Sequence, residues 1–414
     1  MDKVIPKTLR RIETYQSSLY KSSVLSRFQK MTKGKLTLQI DGDDYNYTFG
    51  YGNRVKAQLR IKHLDFFQRL LKSGELGFGE SYVDGYWESE DIVELIKWFL
   101  INYHQPDQGS SEPSLFLFLE SVHKIQNFLH QSRYSSFDKN ISFHYDLGAN
   151  FFSYFLDESL TYSAAFFGSA PICLEEAQRL KNRRIGEQLK IEPGDEVLDL
   201  GCGWGSLTFY LALTYACHVT CVTISEEQFR YVDARVKELG LEDRVTPLLI
   251  DFRDVSGRFN HIVSVELTDS LVQGDLPIFF EVCDRVLKPR GRMVHQVLVG
   301  PESVTLDQSR GDWVHKYITP GSLTPSLSQV IQAANQKSEF HVVALHDMGL
   351  DYSKTFRIWR QKFIENQQIF ESLGYDDRFL RTWEYFLSYA EAAYSMGAVS
   401  CAQITMNRLS DLRS

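Results

Sequence analysis

The sequence predicts an α/β chain: a large C-terminal part built as a doubly wound sheet, preceded by a small α-rich domain. Three observations carry this. From about residue 196 to 299, apolar runs of strand length alternate with helical periodicity, the order of parallel strands joined by crossover helices. The first run, EVLDL, leads straight into the glycine-rich turn GCGWG, as a strand-to-helix turn requires. The stretch HQPDQGSSEP (104–113) concentrates Pro, Gly and Ser and reads as a linker. The expected division is 1–103 for the small domain, 104–139 for the linker and a connector helix, and 140–414 for the large domain.

Taken in order, residues 1–31 read as a helical basic arm with Ile12, Leu19, Leu25 and Phe28 as its apolar contacts. KLTLQIDGDDYNYTFGY alternates apolar and polar residues around an Asp-Gly turn, a hairpin signal. Helical periodicity follows at 64–72 and 91–103, with the glycine- and aromatic-rich GELGFGESYVDGYWE between them. In the large domain the expected strands are EVLDL, HVTCVTIS (218–225), RVTPLLIDF, HIVSVEL (261–267) and RGRMVHQVLV. The intervening helices are LTFYLALTY, EEQFRYVDARVKELG and LPIFFEVCDRVL.

Composition narrows the function. Hydrophobic residues make up 43% and charged residues 24%, ordinary globular values that exclude disorder, collagen and coiled coil as whole-chain descriptions. The net charge of −8 argues against a generic nucleic-acid binder. It hides an asymmetry, because residues 1–64 hold 13 Lys/Arg against 5 Asp/Glu. Such an arm suits an anionic partner such as a phospholipid surface, or is simply a solvated helix. The 28 Phe, 21 Tyr and 6 Trp can fill a core or line an apolar pocket. The six cysteines form no CxxC and no zinc-ligand spacing, so free thiols in a reducing cytosol and no metal are expected. The first residues lack the apolar stretch of a signal peptide, and no run reaches the ~20 residues of a membrane span. A cytoplasmic protein, touching the inner face of the membrane only peripherally, is the expectation.

The strongest local motif is Asp199-Leu200-Gly201-Cys202-Gly203-Trp204-Gly205. A dinucleotide fold places its third glycine one residue later; GxGxG after an acidic residue is instead the pattern of class I S-adenosylmethionine (SAM) methyltransferases. Further motifs occur in order: HYDLGANFF (144–152), LTYSAAFF (160–167), VTISEEQ (222–228), DFRD (251–254), DWVHKYITPGSLTPSL (312–327) and RTWEYFLSYAEAAYSMG (381–397). With these the chain resembles the cyclopropane-fatty-acyl-phospholipid synthase family, which includes the mycolic acid cyclopropane synthases. The resemblance implies a Rossmann-like class I SAM-dependent methyltransferase whose N-terminal domain helps to present lipid.

It also implies site residues. Tyr162 and Ser163 match the pair at the methionine end of SAM, and Gly201 and Gly203, after Asp199, match the glycine turn. Thr223 and Gln228 fall at the ribose, and Phe252 and Arg253 at the adenine. The family reaction transfers a methyl group to an alkene and then removes a proton, so it needs a dry apolar tunnel and a base. Family members hold bicarbonate as that base, using backbone N–H groups, a Glu, a His and a Tyr. The matching positions are Ala164 for a backbone N–H, Asp269 for the Glu, His295 for the His, Val297 beside it, and Tyr352 for the Tyr. Bland readings stand beside them: Asp269 as a helix N-cap, His295 as a core histidine, Tyr352 as a packing residue.

Three outcomes stay open: a cyclopropane synthase acting on unsaturated phospholipid chains, a divergent acyl C-methyltransferase giving branched chains, and a non-catalytic SAM- or lipid-binding protein. A homodimer is also allowed. A nucleic-acid methyltransferase is disfavoured, because LTDS (267–270) stands where the Asp/Asn-Pro-Pro-Tyr motif would be.

Overall fold

The computed structural model describes residues 7–103, 147–169, 171–271, 274–302, 313–319 and 324–408, with side chains from residue 18. The expected linker and connector, 104–139, lie outside the described residues. The chain divides into two compact units.

The larger unit holds a seven-stranded sheet. Its strands are β5 (Glu196–Leu200), β6 (His218–Thr223), β7 (Val245–Leu249), β8 (Phe259–Val265), β9 (Leu287–Val299), β10 (Phe340–Asp347) and β11 (Ser400–Arg408), in the order β10-β11-β9-β8-β5-β6-β7. β5 to β9 are parallel, and β10 and β11 add antiparallel. The expected doubly wound sheet is therefore present. Burial divides on its two faces. One apolar cluster joins Leu198, Ile262, Met293, Val297 and Ile404 to Phe279, Phe280 and Val330. Phe279 and Phe280 lie in the helix Asp275–Val286, and Val330 in the helix Leu327–Lys337. The other joins Val197, Val219, Val263 and Val294 to Ile185, Leu211 and Val232, from the helices Leu174–Leu189, Ser206–Tyr215 and Glu226–Leu239. The chain leaves β5 toward β6 and β7, then returns to β8 on the other side of β5. Such a reversal opens a crevice at the carboxyl ends of the strands, where this architecture binds ligands.

The smaller unit includes residues 7–103, 313–318 and 367–396. It joins the expected helices and hairpin to a larger sheet. The hairpin is present as β1 (Lys35–Ile40) and β2 (Tyr47–Phe49), but β1 also pairs in parallel with β3 (Lys56–Ile61), and β4 (Trp87–Glu88) completes a four-stranded sheet. Phe28, from the helix Lys7–Gln29, packs edge-on against Phe49, Trp98 and Phe99. Val24 and Phe28 are fully buried and Leu19 is half exposed, so the end of the basic arm is part of this core. The glycine- and aromatic-rich stretch is mostly helix (Asp65–Val83), kinked at Gly74. Its Gly79 lies against the Trp313 ring, with no room for a Cβ. The helix Asp377–Ser395, read from sequence as part of the large domain, packs in this unit, with Tyr385 against Trp313 at 4.7 Å. Among the described residues, no helix is long and apolar enough to cross a membrane.

Candidate active site

The glycine turn sits at the carboxyl end of β5. Gly201, Gly203 and Gly205 take φ of 77°, 54° and 83°, which favours glycine. The N–H groups of Gly201 and Cys202 both donate to Val222 O, at 3.0 and 3.1 Å, and pin the turn to β6. A Cβ at Gly201 would meet Leu267 at 3.0 Å, whereas at Gly203 it would meet nothing within 4 Å. The turn is thus packed on one side and open on the other, a cradle for a ligand. Asp199, just before it, accepts from Thr208 Oγ1 at 2.6 Å, and burial pushes its pKa up to about 6.

The other expected cofactor residues each have defined partners. Thr223 ends β6; its hydroxyl donates to Gln228 Oε1 at 2.8 Å and accepts from Ser225 N at 3.1 Å. Ser225 in turn caps the helix carrying Gln228, as Ser at an N-cap does. Phe252 and Arg253 form the short turn after β7. Phe252 is buried; Arg253 lies over its ring and pairs with Asp251 and Asp275. Tyr162 stacks on Trp359 with ring centres 5.2 Å apart. Ser163 Oγ accepts from the buried Lys181 Nζ at 2.8 Å. Burial lowers the Lys181 pKa to about 8, against the opposing pull of Glu266, Asp157, Cys401 and Asp199.

A second constellation stands beside the first and corrects the expected base site. Ala164 and Tyr352 do meet a carboxylate, but it belongs to Glu266 rather than Asp269. Glu266 Oε1 accepts from Ala164 N at 3.0 Å and from Gln296 Nε2 at 2.7 Å, and Oε2 accepts from Tyr352 OH at 2.7 Å. Cys401 Sγ approaches Oε1 at 3.8 Å. By surface area Glu266 is only half-buried, yet its carboxylate is enclosed by these donors. Burial raises its pKa, and the donors and Lys181 oppose the rise. Glu266 follows β8 with φ of 57°, a left-handed turn that is costly for a side chain with a Cβ and typical of functional sites. Asp269 lies one short turn later, accepts from Leu298 N at 3.3 Å, and has its pKa pushed well up by burial and by the Glu266 charge.

His295 is likewise displaced from its expected role. Successive strand residues face opposite sides of the sheet. In β9, His295 and Val297 face the cluster under the helix Asp275–Val286. The His295 ring lies 5.1 Å from Phe279 and 5.8 Å from Phe280, and burial lowers its pKa to about 4. Its Nε2 lies 3.5 Å from Thr268 Oγ1. Val297 is also core. Gln296, between them, is the residue that reaches Glu266. Residue-type preference favours the histidine; strand alternation points to its neighbour.

The segment carrying Tyr162 to Phe167 is tied down along its length. Ala165 N donates to Thr355 Oγ1 at 3.1 Å and Phe167 N to Asp351 Oδ1 at 3.0 Å, both from the helix Gly349–Glu365 that also carries Tyr352 and Trp359. Among the groups that the resemblance assigns to bicarbonate, the Ala164 N–H and the Tyr352 OH both donate to Glu266, and Gln296 rather than His295 completes the set; no step is routed through bicarbonate.

Residues 132–404 match the model of the mycolic acid cyclopropane synthetase family. Tuberculostearic acid methyltransferase UfaA1 of Mycobacterium tuberculosis is 30% identical over 402 residues, covering 94% of this chain and 91% of its own. Cyclopropane-fatty-acyl-phospholipid synthase of Escherichia coli K12 is 33% identical over 352 residues, covering 85% and 88%. Among solved structures, mycolic acid cyclopropane synthase CmaA1 complexed with SAH and CTAB aligns with a TM-score of 0.61 at 26% identity, over 66% of this chain and 98% of that one. The chain therefore belongs to the mycolic acid cyclopropane synthetase family of enzymes.

Proposed function

We propose that the chain is a SAM-dependent methyltransferase acting at the double bond of an unsaturated fatty-acyl chain carried on a membrane phospholipid, with Glu266 as its base. The observation that carries the reading is the convergence of Ala164 N–H, Gln296 and Tyr352 on the Glu266 carboxylate, Ala164 standing two residues along the chain from the Tyr162 expected at the methyl donor. SAM, when bound at the glycine turn, supplies an electrophilic methyl carbon that an alkene takes up, and loss of one proton completes the product. Thr223, Gln228, Phe252 and Arg253 would hold the nucleoside part, and Tyr162 and Ser163 the methionine part, as the resemblance implies. Glu266 takes the proton. Its N–H and O–H donors keep it a carboxylate before the reaction, and its burial makes it more basic than an exposed one. The rings of Tyr162, Trp359 and Phe152 form an apolar wall beside the site, which excludes water and can stabilise a cation through its π-faces.

A branched product is the second reading. It is favoured by the 30% identity, over nearly the whole chain, to a tuberculostearic acid methyltransferase. Both products need the same base. Mass analysis of lipids from cells expressing the protein and fed labelled methionine tests the proposal. A gain of one methylene with loss of the alkene supports ring formation, and a gain with branching supports the second reading. Unchanged lipids from a protein that binds SAM would sink both and leave the binding-protein reading.

A further inference from the structure

The segment carrying Tyr162 to Ala164 is entered through a turn, residues 157–161, that its own backbone does not favour. Leu160 is buried with φ of 54°, in the left-handed region that is costly for a residue with a Cβ. Asp157, also buried, holds the turn there. Its backbone carbonyl accepts from Leu160 N at 2.9 Å. Its carboxylate accepts from Ser159 N and Thr161 N, each at 3.0 Å, and from the Ser159 hydroxyl. Strain of this kind persists only where the surroundings over-determine it, and it gathers at ligand clamps.

The same turn is bonded to the end of the glycine turn. The hydroxyls of Ser159, Thr161 and Ser206 form a triangle with sides of 2.7, 2.8 and 3.0 Å. Ser206 directly follows Gly205 and opens the helix Ser206–Tyr215. An ionised carboxylate only accepts, and each hydroxyl has one proton to give. Ser159 therefore gives its proton to Asp157, Ser206 donates to Ser159, and Thr161 donates to Ser206. Asn182 Nδ2, on the helix Leu174–Leu189, reaches Ser206 Oγ at 3.4 Å. Resting on the reading of Tyr162 and Ser163 as residues at the methionine part of SAM, we propose that Asp157, Thr161 and Ser206 are positioning residues that lock this segment to the glycine turn. The two protein walls of the methionine part are then held as one piece. When the lock is broken, Leu160 relaxes out of the left-handed region and carries Tyr162 and Ser163 with it. Thr223, Gln228 and Phe252, expected at the nucleoside, are not bonded to the lock and stay in place.

The test is calorimetric binding to full-length protein, read with two ligands. S-adenosylhomocysteine carries the whole amino-acid end; 5′-methylthioadenosine keeps the nucleoside and the sulfur and lacks that end. Thr161→Val and Ser206→Ala each remove one corner of the triangle. Each weakens S-adenosylhomocysteine about tenfold and leaves 5′-methylthioadenosine within about twofold. The double variant binds no worse than either single one, because both break the same lock. Thr161→Ser keeps the hydroxyl and restores the wild-type affinity. If Thr161→Val does not fold, Ser206→Ala and its rescue by Ser206→Thr carry the test. Unchanged affinity for S-adenosylhomocysteine, equal losses for the two ligands, or additive losses in the double variant overturn the proposal. Unchanged affinity for S-adenosylhomocysteine in both Tyr162→Ala and Ser163→Ala would instead overturn the reading beneath it.

Discussion

Lys181 Nζ donates to Ser163 Oγ at 2.8 Å with its side chain buried, which places a cation between the expected methionine-end residues and Glu266. Burial lowers its pKa to about 8. Between pH 8 and the unfolded value near 10.5 the unfolded state binds more protons, so stability rises with pH. Relative to Lys181→Met, the wild type should gain on the order of 3 kcal/mol across that window. Urea unfolding of both proteins at pH 7.5 and 10 checks it; a constant difference would contradict a buried, charged Lys181.

His295 gives the same sign in a different window. Its folded pKa of about 4 lies below the usual 6.5, so its contribution is present above pH 6.5 and is lost as pH falls toward 4. Relative to His295→Leu, the wild type should lose on the order of 3 kcal/mol between pH 6.5 and 4. At neutral pH the same variant should retain kcat, short of the roughly 100-fold loss that follows removal of a general base. A loss of that size would return His295 to the catalytic site.

Glu266 and Asp269 can be separated by amide substitution. Glu266→Gln should lower kcat by about 10²–10⁴. Asp269→Asn should change it far less, because burial and the Glu266 charge already hold Asp269 toward the neutral acid that the amide mimics. Turnover of methyl-labelled SAM on unsaturated vesicles measures both, and equal losses would count against the assignment.

In the smaller unit, Phe28→Ala should cost about 3–5 kcal/mol, as large cavities in cores do, whereas Leu19→Ala, at a half-exposed position, should stay within about 0.5 kcal/mol. Denaturant midpoints decide it. The pair also bears on vesicle binding: deleting residues 1–31 removes core as well as charge. Replacing Lys3, Lys7, Arg10 and Arg11 with Gln is the cleaner test of the arm, and unchanged cosedimentation with anionic vesicles would remove its proposed membrane role.

The doubly wound sheet was legible because β5 to β9 contain apolar runs, most of them separated by helical stretches, and the glycine turn marks where the first ends. The small sheet was legible only as its hairpin. β1 and β3 pair in parallel across an intervening strand, and nothing local in KAQLRI announces such a partner. The glycines at 77 and 79 are poor helix formers, yet Gly79 is needed where the Trp313 ring approaches. Glu266 was hidden by its own backbone. The left-handed turn there breaks the alternation of β8, so counting from the strand does not predict which carboxylate turns inward. Gln296 did leave a signal, as a polar residue within the apolar run MVHQVLV, but the adjacent histidine drew the chemistry to the wrong face.

Tyr162, Ser163 and Ala164 are consecutive, and they face, in turn, the aromatic wall, the buried lysine and the base. Two peptide units span at most about 7 Å. The Tyr162 ring and the Ala164 N–H that reaches Glu266 are therefore held at a fixed backbone spacing, anchored at Ala165 and Phe167 by the helix Gly349–Glu365. If the proposed reading holds, a lipid that fits poorly shifts against a segment whose parts cannot shift against one another, and the choice between ring and branch falls to the placing of the acyl chain.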